Sequence, residues 1–190
     1  MYYSDYMTDK TEQKIIDSAL KVFSQRGYVG ATTMLIAEES GFSEKTLFRK
    51  FKTKENLFKT TILQKGMEMG KFFQESVLIN KDFEDPRDFL ETLIQNYRKL
   101  GDQYFEFFHL SISERTRIHE PIMEEFNFKV SEYIKENIPD KKIDYMTFGL
   151  TISAFMYMTI TEYNLGRQAI DLDTVLKNFI DILMMSIETC

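Results

Sequence analysis

Cysteine is nearly absent: Cys190 is the single copy, so an internal disulfide is impossible and a cysteine-based metal site is excluded. Histidine is almost as scarce. His109 and His119 stand ten residues apart with Glu114 and Glu120 nearby, which is no familiar ligand spacing, and no metal is expected. Three Pro and eight Gly in 190 residues exclude collagenous and turn-dominated chains. No apolar run follows a basic start, so the expected location is the cytoplasm. The longest uncharged stretch, Tyr145 to Thr161, has 17 residues, six of them Thr, Ser or Gly. It reads as a buried helix, and no membrane partner is expected. Also missing are a Gly-x-Ser-x-Gly elbow, a phosphate-binding Gly loop and a Cys–His nucleophile pair. No catalytic residue, enzymatic activity or cofactor is therefore assigned.

What is present suits a folded domain: 43% of residues are hydrophobic and 28% charged, outside the disordered range. Net charge is −6, but it is unevenly spread, with +2 over residues 1–60 and −8 over 61–190. Between Ser43 and Lys59 lie six cations (Lys45, Arg49, Lys50, Lys52, Lys54, Lys59) against Glu44 and Glu55. A local charge of +4 in an acidic chain is where an anionic polymer would dock.

Apolar residues recur at helical spacing almost throughout, and no segment alternates between hairpin turns, so the fold class is all-α. Residues 1–9 lack any period and are expected to form an arm, with Met7 an alternative start. A helix is predicted from Lys10 to Arg26, ending at Gly27 in a left-handed cap. Thr32 is placed to cap a short helix from Thr33 to Ser40, and Ser43 a second one that starts after Gly41. A long helix follows from about Lys54 to Leu78. Asp85 with Pro86 opens the next, to about Gly101. Further helical segments are expected around Tyr104–Arg115, Pro121–Asn137, Ile143–Leu165 and Asp171–Glu188.

Two short helices joined by a Gly-containing turn, the second cationic and a packing helix before them, meet the requirements of a helix-turn-helix. Ile36, Ala37, Phe42, Leu47 and Phe51 are spaced to meet Leu20 and Phe23 in a small core. Thr32 and Thr33 sit at a helix N-terminus, where free amides favour phosphate, and Lys54 repeats that arrangement. The residues Gly27-Tyr28, Thr32-Thr33, Ile36-Ala37, Gly41-Phe42-Ser43, Thr46-Leu47-Phe48, Phe51 and Lys54-Glu55-Asn56-Leu57 resemble the DNA-binding region of the TetR family of transcriptional regulators. The likeness runs over about Glu12 to Phe58. It implies that Thr32, Thr33, Ser43, Lys45, Thr46, Phe48, Arg49, Lys50 and Lys54 lie at or near double-stranded DNA, with 43–51 as the recognition helix in the major groove. Arg49 and Lys45 are expected at base edges; Thr32, Thr33 and Lys54 at phosphates. Phe48 stands where the family usually has Tyr, which removes a phosphate-directed hydroxyl. Apolar Met34 and Leu35 replace residues often polar there.

The resemblance also implies a three-helix DNA-binding domain over residues 10–54 and a helical effector-binding and dimerisation domain over 55–190. The helices from Ile143 to Leu165 and from Asp171 to Glu188, both widely apolar, are the expected homodimer interface, so that paired recognition helices read an operator with two half-sites. The middle of the chain is rich in aromatic and Met residues, either as packed core or as the wall of a pocket for a flat or greasy ligand. Candidate lining residues are Phe73, Tyr97, Phe108, His109, Met123, Phe126, Phe155 and Thr159, with Tyr163 a further polar anchor. The function read from these features is a DNA-binding transcriptional repressor released by a small lipophilic or aromatic effector. The alternatives are a DNA-binding regulator without a small-molecule effector and an all-α small-molecule carrier.

Overall fold

The structure, a computed structural model, describes residues 9–79, 81–114, 119–139, 142–167 and 171–188, with backbone alone over 119–123. The expected N-terminal arm up to residue 8, Cys190 and the side chains of His119 and Met123 lie outside the described residues. Among those residues the fold is all-α, as nine helices. They group into two compact units, Met1–Met67 with Glu106–His119, and Glu68–Phe105 with Glu120–Cys190.

The first unit begins with α1 (Lys10–Gly30), whose Asp9 side chain accepts the Glu12 N–H at 2.8 Å. Ile15, Ile16, Ala19 and Phe23 recur at three- and four-residue spacing and are fully buried, each large side chain contributing ~1.5–3 kcal/mol. Gly27 breaks this helix, but not as the expected left-handed cap: at φ 67°, ψ 169° it is extended on the glycine-only side, and one more turn, 28–30, follows it. α2 (Thr33–Ser40) ends at Gly41, which does adopt the left-handed cap at φ 73°, ψ 19° and sends its N–H back to Ala37 and Glu38. α3 (Glu44–Phe51) follows after the three residues 41–43. α4 (Lys54–Ser76) starts in this unit and ends in the other; Leu57, Phe58 and Ile62 are its buried positions here. Lys65, nearly buried on α4, is ion-paired to Asp17 of α1 at 2.5 Å. α6 (Phe105–Ser113) completes the unit and buries Phe107 and Leu110.

The second unit is organised by α5 (Pro86–Gln103), with Asp85 as cap and Pro86 in its first turn, as the sequence predicts. Phe89, Leu90, Leu93, Ile94, Tyr97 and Leu100 face inward. α7 (His119–Asn137), α8 (Tyr145–Asn164) and α9 (Leu172–Glu188) belong to the same unit. Arg98 to Asp173 at 2.5 Å and Arg87 to Asp181 at 2.8 Å link α5 with α9. Pairs as exposed as these contribute at most about 1 kcal/mol each, so apolar burial between the helices provides the hold. No helix among the described residues is long and apolar enough to cross a membrane.

Candidate nucleic-acid interface

α3 presents two unlike faces. Leu47 and Phe51, one turn apart, are 0% and 4% exposed and fix the helix to its unit; Lys45, Phe48 and Arg49 face solvent. Ser43 starts α3 by accepting the Thr46 N–H at 3.2 Å, and the two hydroxyls lie 3.1 Å apart. On α2, the Thr32 hydroxyl accepts the Leu35 N–H at 3.2 Å. Thr33 donates to the Glu44 carboxylate at 2.6 Å, which joins the starts of α2 and α3. The hydroxyls expected at DNA therefore also build the motif; the Thr32 hydroxyl accepts and keeps its proton for a phosphate, whereas the Thr33 proton is given to Glu44.

The cations differ in their engagement. Lys45 and Arg49 have no ion pair among the described residues and are exposed. Lys50 is half-buried and hydrogen-bonded to Asp9, with Glu12 at 3.8 Å. Its ammonium, followed by the Glu12 N–H, holds the Asp9 carboxyl below the usual carboxylate range. Lys50 thus fastens α3 to the start of α1. Lys52 closes α3 with a left-handed φ of 66°, sends its N–H to the Phe48 carbonyl at 2.9 Å and its ammonium to the Arg49 carbonyl at 3.0 Å. These two bonds hold a backbone conformation that costs about 1–2 kcal/mol for a residue with a side chain.

At the head of α4 the Thr53 hydroxyl accepts the Asn56 N–H at 3.0 Å. The Lys54 ammonium lies 4.5 Å from the centre of the Tyr28 ring, within cation–π range. Tyr28 in turn packs edge-on against Phe58 at 4.9 Å and stacks on Phe23 at 6.0 Å. Lys59 is taken up by Glu55 at 2.6 Å. Val29 at 91%, Met34 at 55% and Phe48 at 40% exposure add apolar surface to α1, α2 and α3.

Residues 15–61 match the family model described as bacterial regulatory proteins, tetR family. This segment is similar to the DNA-binding region of the TetR family. Two curated relatives align over the same region. The HTH-type transcriptional regulator YvkB of Bacillus subtilis (strain 168) is 33% identical over 66 residues, 35% of each chain. The HTH-type transcriptional repressor AcnR of Corynebacterium glutamicum is 32% identical over 69 residues, 36% of this chain and 37% of that protein. The aligned stretch thus spans about a third of the length of these relatives. Solved structures extend the likeness of fold to nearly the whole chain. The fatty acid degradation regulator FadR from Bacillus halodurans superposes with a TM-score of 0.72 at 18% identity, covering 93% of this chain and 95% of that one. The transcriptional regulator FadR from Bacillus subtilis, in complex with stearoyl-CoA, gives 0.70 at 20% identity, covering 92% and 98%. All of these relatives are named as regulators, none as an enzyme.

The effector candidates are only partly brought together. Phe73, Tyr97 and Phe126 are buried and form one cluster, with ring centres 4.2 Å apart for Phe73–Phe126 and 5.8 Å for Tyr97–Phe126. The Tyr97 hydroxyl shares a 3.0 Å hydrogen bond with Ser153, a partner the sequence did not suggest, and burial pushes its ionisation well up. Thr159 is buried on α8, and Phe155 stacks on Phe179 at 3.7 Å. Phe108, packed on Phe107, and His109 belong instead to the first unit. Phe128, also in the aromatic middle of the chain, is 56% exposed because it sits on the outer face of α7, opposite Val130 and Ile134. A polar groove of about 360 Å³ lined by Lys81, Asp82, Glu84, Asp85, Arg87, Asp88 and Glu91 shares no residue with the aromatic set. Among the described residues no group of three or more His, Cys, Asp or Glu is arranged to hold a metal.

Proposed function

We propose that the protein is a homodimeric, sequence-specific DNA-binding transcriptional regulator, and that it acts as a repressor released by a small lipophilic or aromatic ligand. The observation that carries the reading is α3 itself, seated by Leu47 and Phe51 while Lys45 and Arg49 stay exposed, without an ion pair among the described residues, inside the segment that matches the tetR family model. In this reading residues 10–54 are the DNA-binding domain, with Arg49 and Lys45 at base edges and Thr32, Thr33 and Lys54 on phosphates. Residues 55–190 bind the effector and dimerise through α8 and α9. Their exposed apolar residues support that assignment: Met146, Leu150 and Met158 on one, Ile182 and Met185 on the other.

Release follows from a shift in population. A ligand that prefers the conformation with badly spaced recognition helices weakens DNA binding by its differential affinity, typically about 1–3 kcal/mol. α4, which begins at the DNA-reading segment and carries Phe72 and Phe73 near its other end, is the lever. The stearoyl-CoA bound to the Bacillus subtilis FadR makes long acyl thioesters the first compounds to test. A second reading, a regulator without an effector, is favoured by the close ring packing of Phe73 with Phe126 and of Phe155 with Phe179.

Selection of bound fragments from the source genome, followed by salt titration on the selected duplex, tests the DNA reading. If the dimer neutralises about six to ten phosphates, affinity falls by ~10³–10⁵ between 50 and 200 mM salt. Absent or salt-independent binding overturns it. A thermal-shift screen with acyl thioesters and aromatic compounds separates the two readings of the interior, since a ligand of the folded state raises Tm.

A further inference from the structure

The break in α1 is gripped from a distant part of the chain. Glu114, just past the end of α6, accepts the Tyr28 N–H through Oε1 at 2.8 Å, across 86 residues of sequence. All the groups concerned lie in the first unit. Gly27, with its φ of 67°, lies close against this carboxylate: a Cβ there would stand 3.0 Å from the same oxygen, which would have to give way by a few tenths of an ångström. One residue on, the Tyr28 ring lies under the Lys54 ammonium and against Phe58. A single residue thus has its backbone held by Glu114 and its ring holding the cation at the head of α4.

We infer that Glu114 is a positioning residue for Lys54, acting through Tyr28: by fixing the Tyr28 amide it sets the ring on which the Lys54 ammonium rests. The physical reason is the break itself. With Gly27 outside helical geometry, the turn at 28–30 is short, and an anionic acceptor on its first N–H replaces the ladder that a continuous helix supplies. Without that acceptor the turn is free to rotate, Tyr28 leaves its place, and Lys54 samples rotamers that no longer meet a phosphate together with the α4 amides. The inference rests on the assignment of Lys54 to phosphate.

The test uses the full-length protein and a random-sequence 30-base-pair duplex, titrated by fluorescence anisotropy at several salt concentrations. Lys54→Ala flattens the plot of log affinity against log salt by about 1 per protomer, the signature of one lost phosphate contact. Glu114→Ala is expected to flatten it in the same sense, and the double variant to go no further than Lys54→Ala alone. Glu114→Gln, whose amide oxygen still accepts the Tyr28 N–H, restores the wild-type slope. Tyr28→Leu, which keeps the backbone contact but removes the ring, reproduces Lys54→Ala and serves if Glu114→Ala does not fold. Independently of DNA, the Tyr28 amide exchanges with solvent about tenfold faster in Glu114→Ala and not in Glu114→Gln. A wild-type slope for Glu114→Ala beside a flattened Lys54→Ala overturns this inference alone, as does full additivity in the double variant or unchanged Tyr28 exchange. A wild-type slope for Lys54→Ala removes the phosphate role of Lys54 and this inference with it.

Discussion

α3 and the α8–α9 pair expose different chemistry, and each suits a different kind of partner. On α3 the apolar side chains Leu47 and Phe51 are turned in, and Lys45 and Arg49 remain in water beside a part-exposed Phe48, a mainly cationic surface that gains when a polyanion arrives. On α8 and α9 the apolar residues run past the core: Leu150 is 43%, Met158 58%, Ile182 58% and Met185 65% exposed. Such positions are disfavoured in water and are satisfied by another apolar surface. The contrast teaches that within one acidic, all-helical chain the chemistry of what is left uncovered, rather than how much, separates the proposed nucleic-acid face from the proposed self-association face.

The comparison breaks most severely at the floor of α3. Leu47 is fully buried, so Leu47→Ala is expected to cost about 2–5 kcal/mol, read as a fall in Tm together with lost DNA binding. A smaller effect is expected on the other face. Ile182→Lys with Met185→Lys places cations where an apolar partner is proposed, and sedimentation should show the dimer dissociating at concentrations about tenfold to a hundredfold higher than for the wild type, with helicity kept. Unchanged association would move the interface elsewhere. Arg49→Ala sharpens the α3 side: loss of a base contact costs about 1–3 kcal/mol of affinity and relaxes preference at one operator position, while the dimer persists.

The smallest effect belongs to Glu106, at the start of α6. Burial, opposed by Lys21 and aided by Glu39, raises its carboxyl above the ordinary value. A folded-state carboxyl that ionises less readily than in the unfolded chain costs stability once pH rises through that window. Glu106→Gln is therefore expected to raise Tm by about a degree at pH 7, and the gain should vanish at acidic pH where the wild-type carboxyl is protonated too. Equal gains at both pH values would show that packing, not charge, is responsible.

Much of the helix-turn-helix segment is legible in the sequence because its signals are local. Thr32 and Ser43 cap the helices that follow them, and Gly41 opens the three-residue turn between those helices. The apolar spacing of Leu47 and Phe51 decides which side of α3 faces out. Lys50 shows where that logic stops. It stands among cations in the sequence, yet its ammonium is held by Asp9 and Glu12, a joint between helix ends about forty residues apart. The aromatic middle was less legible still: residue type alone did not separate Phe73 and Phe126, packed ring on ring, from Phe128 on an outer face or Phe108 in the other unit.

What the sequence determined by itself was everything governed by neighbours within a turn or two: the all-helical class, where most helices start and stop, and the cationic stripe of 43–59. These depend on capping bonds, backbone freedom and i, i+4 spacing, interactions that close within a few residues. Only the tertiary structure decided which charges are spent internally, which carboxylate holds the Tyr28 amide, and which apolar residues on α8 and α9 stay uncovered. Those depend on which segments far apart in the chain meet, and no local pattern of residues encodes that.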